Sequence, residues 1–144
     1  MRLAIGAGGG NYTPSMTAAR PRVLLVDDEP SIVKMVGKRL EVEGFDVLVA
    51  VDGQEALEKA TTQNPDLIIL DLMLPQRNGF EVCSTLKQDA RYRHIPIIIF
   101  TGKGQAGDDQ RGQECGADAF VTKSSGKGVL IEQVRTLLNK QRVQ

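Results

Sequence analysis

The chain has 144 residues, 41% of them apolar and 25% charged, and its 18 Lys plus Arg are balanced by 18 Asp plus Glu. That size suits one domain around a single core, the balance excludes a wholly disordered or membrane-embedded chain, and the zero net charge leaves no general positive field to attract nucleic acid or an anionic bilayer. Cys83 and Cys115 have neither metal-site spacing nor the density of a disulfide scaffold and read as reduced packing thiols. No run approaches the roughly 20 apolar residues of a membrane span, and the first residues, MRLAIGAGGG, lack the apolar region of a signal peptide. A cytoplasmic location is expected by elimination.

Residues 1–20 are rich in Gly, Ala, Ser and Thr without apolar period, which predicts a flexible N-terminal tail before a domain over 21–142. From Arg22 onward, short apolar runs alternate five times with amphipathic stretches, the rhythm of βα units and a parallel sheet. The first strand is Val23 to Val26, and its helix opens at Pro30 and closes at Gly44 with Ile32, Val33, Val36 and Leu40 on one face. A second strand over Val47 to Val51 is followed by a helix from Gln54 to about Thr62, with Asp52 as N-cap.

Leu67 to Leu70 is apolar without alternation, as in a strand buried on both faces at the sheet centre. A loop with Pro75 and Gly79 leads to a third helix, about Phe80 to Gln88, and the fourth strand is Ile97 to Phe100. Five glycines from Gly102 to Gly116 predict a short, weakly held fourth helix, since each interior Gly costs about 0.5–1 kcal/mol against Ala. Ala119 to Thr122 is the fifth strand, and Leu130, Ile131, Val134, Leu137 and Leu138 form the apolar stripe of a last helix. Five such units predict an α/β fold: a doubly wound (βα)5 three-layer sandwich with a five-stranded parallel sheet, whose sites form at the carboxyl ends of the strands.

Asp27, Asp28 and Glu29 stand at the end of the first strand and Asp71 at the end of the third, while the fourth strand ends in Thr101 and the fifth in Thr122-Lys123. Carboxylates crowded in a cleft repel one another, and a hard divalent cation, Mg²⁺ by preference, is the usual remedy. With repulsion screened, Asp71 can act as a nucleophile toward phosphorus, Lys123 can pair with a phosphoryl oxygen, and Thr101 can donate a hydrogen bond to another. Bland readings stand beside these. Asp27 and Asp28 could cap the first helix, Thr101 could be a turn residue, Lys123 a solvated charge, Phe120 plain core and His94 a loop residue.

The segments LLVDDEP, PDLIILDLMLP with Gly79 after it, PIIIFTG and GADAFVTK, in this order and spacing across about Arg22 to Lys140, resemble the receiver domain of two-component response regulators. The resemblance implies the flavodoxin-like strand order 2-1-3-4-5 and a signalling switch rather than an enzyme. It implies Asp71 as phosphoacceptor, Asp28 as direct metal ligand, Asp27 as an acidic neighbour acting largely through water, and Met73 as donor of a backbone carbonyl to the Mg²⁺. Thr101 and Lys123 match the pair that reads the phosphoryl group, and Phe120 the aromatic switch residue. Expected partners are a sensor histidine kinase or histidine phosphotransfer protein and a downstream protein target, with no direct nucleic-acid or membrane contact, in a monomer or weak dimer.

Members usually carry a proline after the lysine, where this chain has Ser124, so a trans path is expected there. A single helix follows Lys123, so output is expected through protein binding rather than an attached effector domain. A pseudo-receiver adaptor would be expected to lack a site residue, and none is missing. A haloacid-dehalogenase-like phosphatase would carry DxD at the first strand, which here reads DDE, and no Gly-rich phosphate loop follows that strand as a nucleotide-binding protein would need.

Overall fold

The computed structural model describes residues 20–76, 78–102 and 115–142. Strands β1 (Arg22–Val26), β2 (Asp46–Ala50), β3 (Leu67–Leu70), β4 (Ile97–Thr101) and β5 (Ala119–Thr122) form one parallel sheet in the order β2-β1-β3-β4-β5. Helices α1 (Pro30–Val42), α2 (Gly53–Thr62), α3 (Gly79–Lys87) and α4 (Lys127–Arg142) cover it. The fold is therefore the expected flavodoxin-like sandwich. The weak helix expected between Gly102 and Gly116 lies outside the described residues, as does the tail up to residue 19.

The two faces follow from the two-residue period of a strand. Leu24 and Val26 of β1 join Ala56 and Ala60 of α2 and Val82, Cys83 and Leu86 of α3 in one cluster. Val23 and Leu25 join Val36 and Leu40 of α1 and Leu130, Ile131, Val134 and Leu137 of α4 in the other. Every residue of β3 and β4 is buried, so their unalternating runs are those of central strands, while β2 and β5 at the edges are only part-covered. Cys83 and Cys115 form no disulfide and are both buried in the first cluster, where the Cys83 thiol donates to the Cys115 carbonyl at 3.5 Å, as packing thiols can.

Local chemistry sets the element ends. Pro30 opens α1, and Gly44 beyond its end takes φ +102°. Asp52 caps α2 by accepting from Glu55 N at 2.7 Å. Asn78 and Glu81 form a reciprocal capping box on α3, which starts that helix one residue before the expected Phe80. Arg20, at the end of the expected tail, donates from its guanidinium to the carbonyls of Glu41, Gly44 and Phe45 at 3.1–3.2 Å and so satisfies the end of α1. Among the described residues no helix is long and apolar enough to cross a membrane.

Candidate functional site

The strand order reverses its direction of growth between β1 and β3, and the loops that leave these neighbouring strands diverge and open a crevice at their carboxyl ends. The parallel ladder runs one residue past each strand: Asp27 N donates to Ala50 O and Asp71 N to Val26 O, both at 3.0 Å. The two aspartates are thereby clamped through their backbones, side by side at the mouth of the crevice. Oxygens of Asp27, Asp28 and Asp71 all lie within 4.8 Å of one another, with Asp27 and Asp71 buried and Asp28 exposed. Three carboxylates and no softer ligand make a donor set that fits Mg²⁺.

Lys123 reaches into this cluster from the end of β5. Its Nζ lies 2.8 Å from Asp27 Oδ2, 3.2 Å from Asp71 Oδ2 and 3.3 Å from Glu29 Oε1, and 5.9 Å from the centre of the Phe100 ring. Among the described residues the Lys123 ammonium is the one cationic partner of the buried Asp27 Oδ2, with no further hydrogen bond to that oxygen. A single ammonium among three neighbouring carboxylates leaves negative charge in excess, which is what a cation site requires. The Lys123–Ser124 peptide bond is trans, as expected from the missing proline, and the lysine still enters the site.

Burial pushes the Asp27 carboxyl above its ordinary value, and the Asp71 charge adds to this, against the opposing pull of Lys123 and the Glu29 N–H. Burial pulls the Lys123 ammonium down, but Asp27 and Asp71 outweigh it and leave the lysine above its usual range. The cost of burying this pair therefore falls on the acid. A carboxyl with a raised folded value holds its proton more tightly folded than unfolded, so its contribution to stability is present below the ordinary carboxylate range and is lost as pH rises through the raised value. Without divalent cations, Asp27→Asn should accordingly gain stability relative to wild type as the pH is taken from about 3 to about 7. Urea unfolding with a chelator at both pH values measures this, and a gap moving the other way would mean that the Lys123 pairing outweighs burial.

The reading of Asp27 and Asp28 as helix caps does not hold. The N-cap of α1 is Glu29, without a side-chain cap bond, and Asp27 Oδ1 instead accepts from Glu29 N at 3.0 Å. Met73 is 75% exposed, and its N–H donates to Asp71 Oδ1 at 3.3 Å, orienting that carboxylate from its own loop. Thr101 is the last residue of β4 rather than a turn residue; it is buried and pairs in register with Thr122. Phe120, opposite Ile99 in the ladder, is half-buried and packs on the first core cluster. His94 sits in the turn before β4, where its carbonyl accepts from Gln141 of α4, far along the chain from the acidic cluster.

Two features were not read from the sequence. One is Phe100, whose ring lies beneath the Lys123 ammonium. The other is the steric role of Gly79. A Cβ there would lie 2.3 Å from the Asp71 carbonyl oxygen and 2.8 Å from Leu72 Cα, while the Gly79 N–H donates to Leu72 O at 3.0 Å. The start of α3 thus presses on the backbone that carries Asp71. The Asn78-x-x-Glu81 pattern was the available signal that a helix begins there.

Comparison with known proteins gives a consistent result. The profile of the family described as response regulator receiver domain matches residues 23–135. The chain is 42% identical over 120 residues to the DNA-binding dual master transcriptional regulator RpaA of Synechocystis, covering 83% of this chain and 50% of that one. It is 42% identical over 122 residues to the alkaline phosphatase synthesis transcriptional regulatory protein PhoP of Bacillus subtilis, covering 85% and 50%. The chain thus spans about half the length of these curated relatives. Among solved structures it resembles a CheY-like receiver domain protein from Methanospirillum hungatei, with TM-score 0.81, 27% identity and coverage of 86% and 98%. It also resembles the chemotaxis response regulator CheY4 of Vibrio cholerae, with TM-score 0.76, 32% identity and coverage of 83% and 99%.

Proposed function

Since the chain belongs to the receiver-domain family of two-component response regulators, we propose that it is a phosphorylation switch in which Asp71 accepts a phosphoryl group from the phosphohistidine of a kinase or phosphotransfer partner. The observation that carries this reading is the convergence of Lys123 and three aspartates from β1, β3 and β5 on one sheet edge. Asp27, Asp28 and Asp71, with the Met73 carbonyl, would hold Mg²⁺, which supplies the positive charge that lets a phosphate approach carboxylates.

Asp71 Oδ attacks phosphorus as the bond from phosphorus to the donor nitrogen breaks, leaving an acyl phosphate on the aspartate. Lys123, already 3.2 Å from Asp71, pairs with a phosphoryl oxygen, and the Thr101 hydroxyl donates to another. The phosphoryl group carries about −1.5 to −2 charges but takes the place of the single charge of the Asp71 carboxylate, so the mouth of the crevice gains about one negative charge at most together with three acceptor oxygens, which draw Thr101 inward and free space for Phe120. The β4–β5 surface then differs between the two states, and a protein target reads that difference. The chain takes part in its own Mg²⁺-dependent phosphorylation and dephosphorylation as a signalling switch rather than turning over a separate substrate.

Incubation with acetyl phosphate and Mg²⁺, followed by intact mass measurement, tests the reading. One phosphoryl increment is expected with Mg²⁺ and none with a chelator, and an unlabelled wild-type chain under both conditions would refute it. Asp28→Ala should weaken Mg²⁺ binding by about tenfold or more, because even one unit-charge contact near a protein surface is worth several kcal/mol. Asp27→Ala, acting largely through water, should have the smaller effect. Titration calorimetry reads both, and unchanged affinity in Asp28→Ala would remove the metal assignment.

A further inference from the structure

Lys123 bridges carboxylates from two other strands, and its ammonium can hold that place only if the chain around its Cα is held too. The backbone alone supports it weakly. Directly after β5 the chain makes a short 3₁₀ turn, Lys123–Ser125, closed by one long bond from Gly126 N to Lys123 O at 3.3 Å, and Gly126 leaves the turn at φ +94°. Turns of this kind have poorer hydrogen-bond geometry than an α-helix and are easily deformed.

The side chains supply what the backbone lacks. Thr122 Oγ1 lies 2.8 Å from Ser125 Oγ and 3.2 Å from Ser124 Oγ, so one hydroxyl touches both serines of the turn. The backbone that carries this hydroxyl is itself well anchored. Thr122 is the last residue of β5, in register with the buried Thr101, and its β-branched side chain has few rotamers to choose from. The two contacts made by Thr122 span the Lys123 backbone, between the end of β5 on one side and the start of α4 on the other.

We propose that Thr122, Ser124 and Ser125 form a hydroxyl clasp that positions Lys123 for the phosphoryl group on Asp71, with Thr122 as its anchor. The proposal deepens the reading of Asp71 as phosphoacceptor and rests on it. The three are positioning residues: none of their hydroxyls contacts the carboxylates, and their effect passes through the lysine.

The test uses the full chain in four forms: wild type, Thr122→Val, which keeps the shape and loses the hydroxyl, Thr122→Ser, which keeps the hydroxyl, and Ser125→Ala. Labelling by acetyl phosphate and Mg²⁺ should slow by about three- to tenfold in Thr122→Val and Ser125→Ala, the range one lost hydrogen bond of ordinary strength produces, and recover in Thr122→Ser. Thermal midpoints measured alongside should not follow the labelling rates. In chains carrying ¹³C-labelled lysine, the Lys123 Cε resonance should move toward the free-lysine position in Thr122→Val and stay in Thr122→Ser. Wild-type rates in Thr122→Val, or a Thr122→Ser chain as slow as Thr122→Val, would overturn the clasp. Should wild type itself take no label, the phosphoacceptor reading fails, and the lysine resonance alone decides whether the clasp holds Lys123.

Discussion

Asp71→Asn should take up no phosphoryl group from acetyl phosphate while keeping the fold, so that the mass increment of the wild-type chain disappears. Asparagine matches aspartate in shape, and its Oδ1 can still accept from the Met73 N–H that holds Asp71 Oδ1 at 3.3 Å. What it lacks is the second anionic oxygen, the one 3.2 Å from Lys123, and a neutral amide is no nucleophile toward phosphorus. The substitution also removes the repulsion between Asp71 and the buried Asp27, so no collapse of stability is expected to confuse the result. Intact mass gives the label and circular dichroism the fold. A variant that still gains one phosphoryl increment would place the acceptor on another residue, with Asp28 the first to examine.

The second large effect is structural, and it sets two glycines against each other. Gly79→Ala would drive a Cβ to within 2.3 Å of the Asp71 carbonyl oxygen and 2.8 Å of Leu72 Cα, atoms of a backbone that cannot rotate away as a side-chain tip can. Either α3 shifts outward, breaking the Gly79 N–H bond to Leu72 O, or the Asp71 loop moves; overpacking of this kind costs about 1–3 kcal/mol and sometimes more. Gly37→Ala, in the middle of α1, meets nothing closer than Val47 Cγ1 at 4.0 Å, an ordinary contact, and should stabilise by about 0.5–1 kcal/mol through helix propensity. Urea unfolding should therefore show opposite signs for one chemical change. Gly79→Ala should also lower the labelling of Asp71, because the pressed backbone is the one that carries the nucleophile. Equal stability of the two variants would mean that the turn before α3 has room the structure does not show.

Much of this was legible in short windows of the chain. The runs at Leu67 to Leu70 and Ile97 to Phe100 lack alternation because both faces of a central parallel strand are buried, and that pattern needs no knowledge of its neighbours. Asp52 could be read as a cap because capping is an interaction across three residues. The start of α3 was missed by one residue although Asn78 and Glu81 carried an equally local signal. That the fourth strand ends in Thr101 was legible too, whereas its pairing with Thr122, a partner 21 residues away, was not.

The sequence by itself determined the five strands, the helices described between them, their layered packing, and which polar residues end the strands, because apolar period and caps act over a few residues and burial of the apolar face is the largest favourable term in folding. Only the tertiary structure decided how those strand ends meet. Lys123 joins Asp71 across 52 residues and Glu29 across 94, by way of a trans turn after the lysine, and lies 2.8 Å from the buried Asp27 Oδ2 as well. Gly79 touches Asp71 for the same reason. Such contacts depend on the path of the backbone to within a fraction of an ångström, and that path comes from the packing of the whole sandwich, which no short stretch of sequence contains.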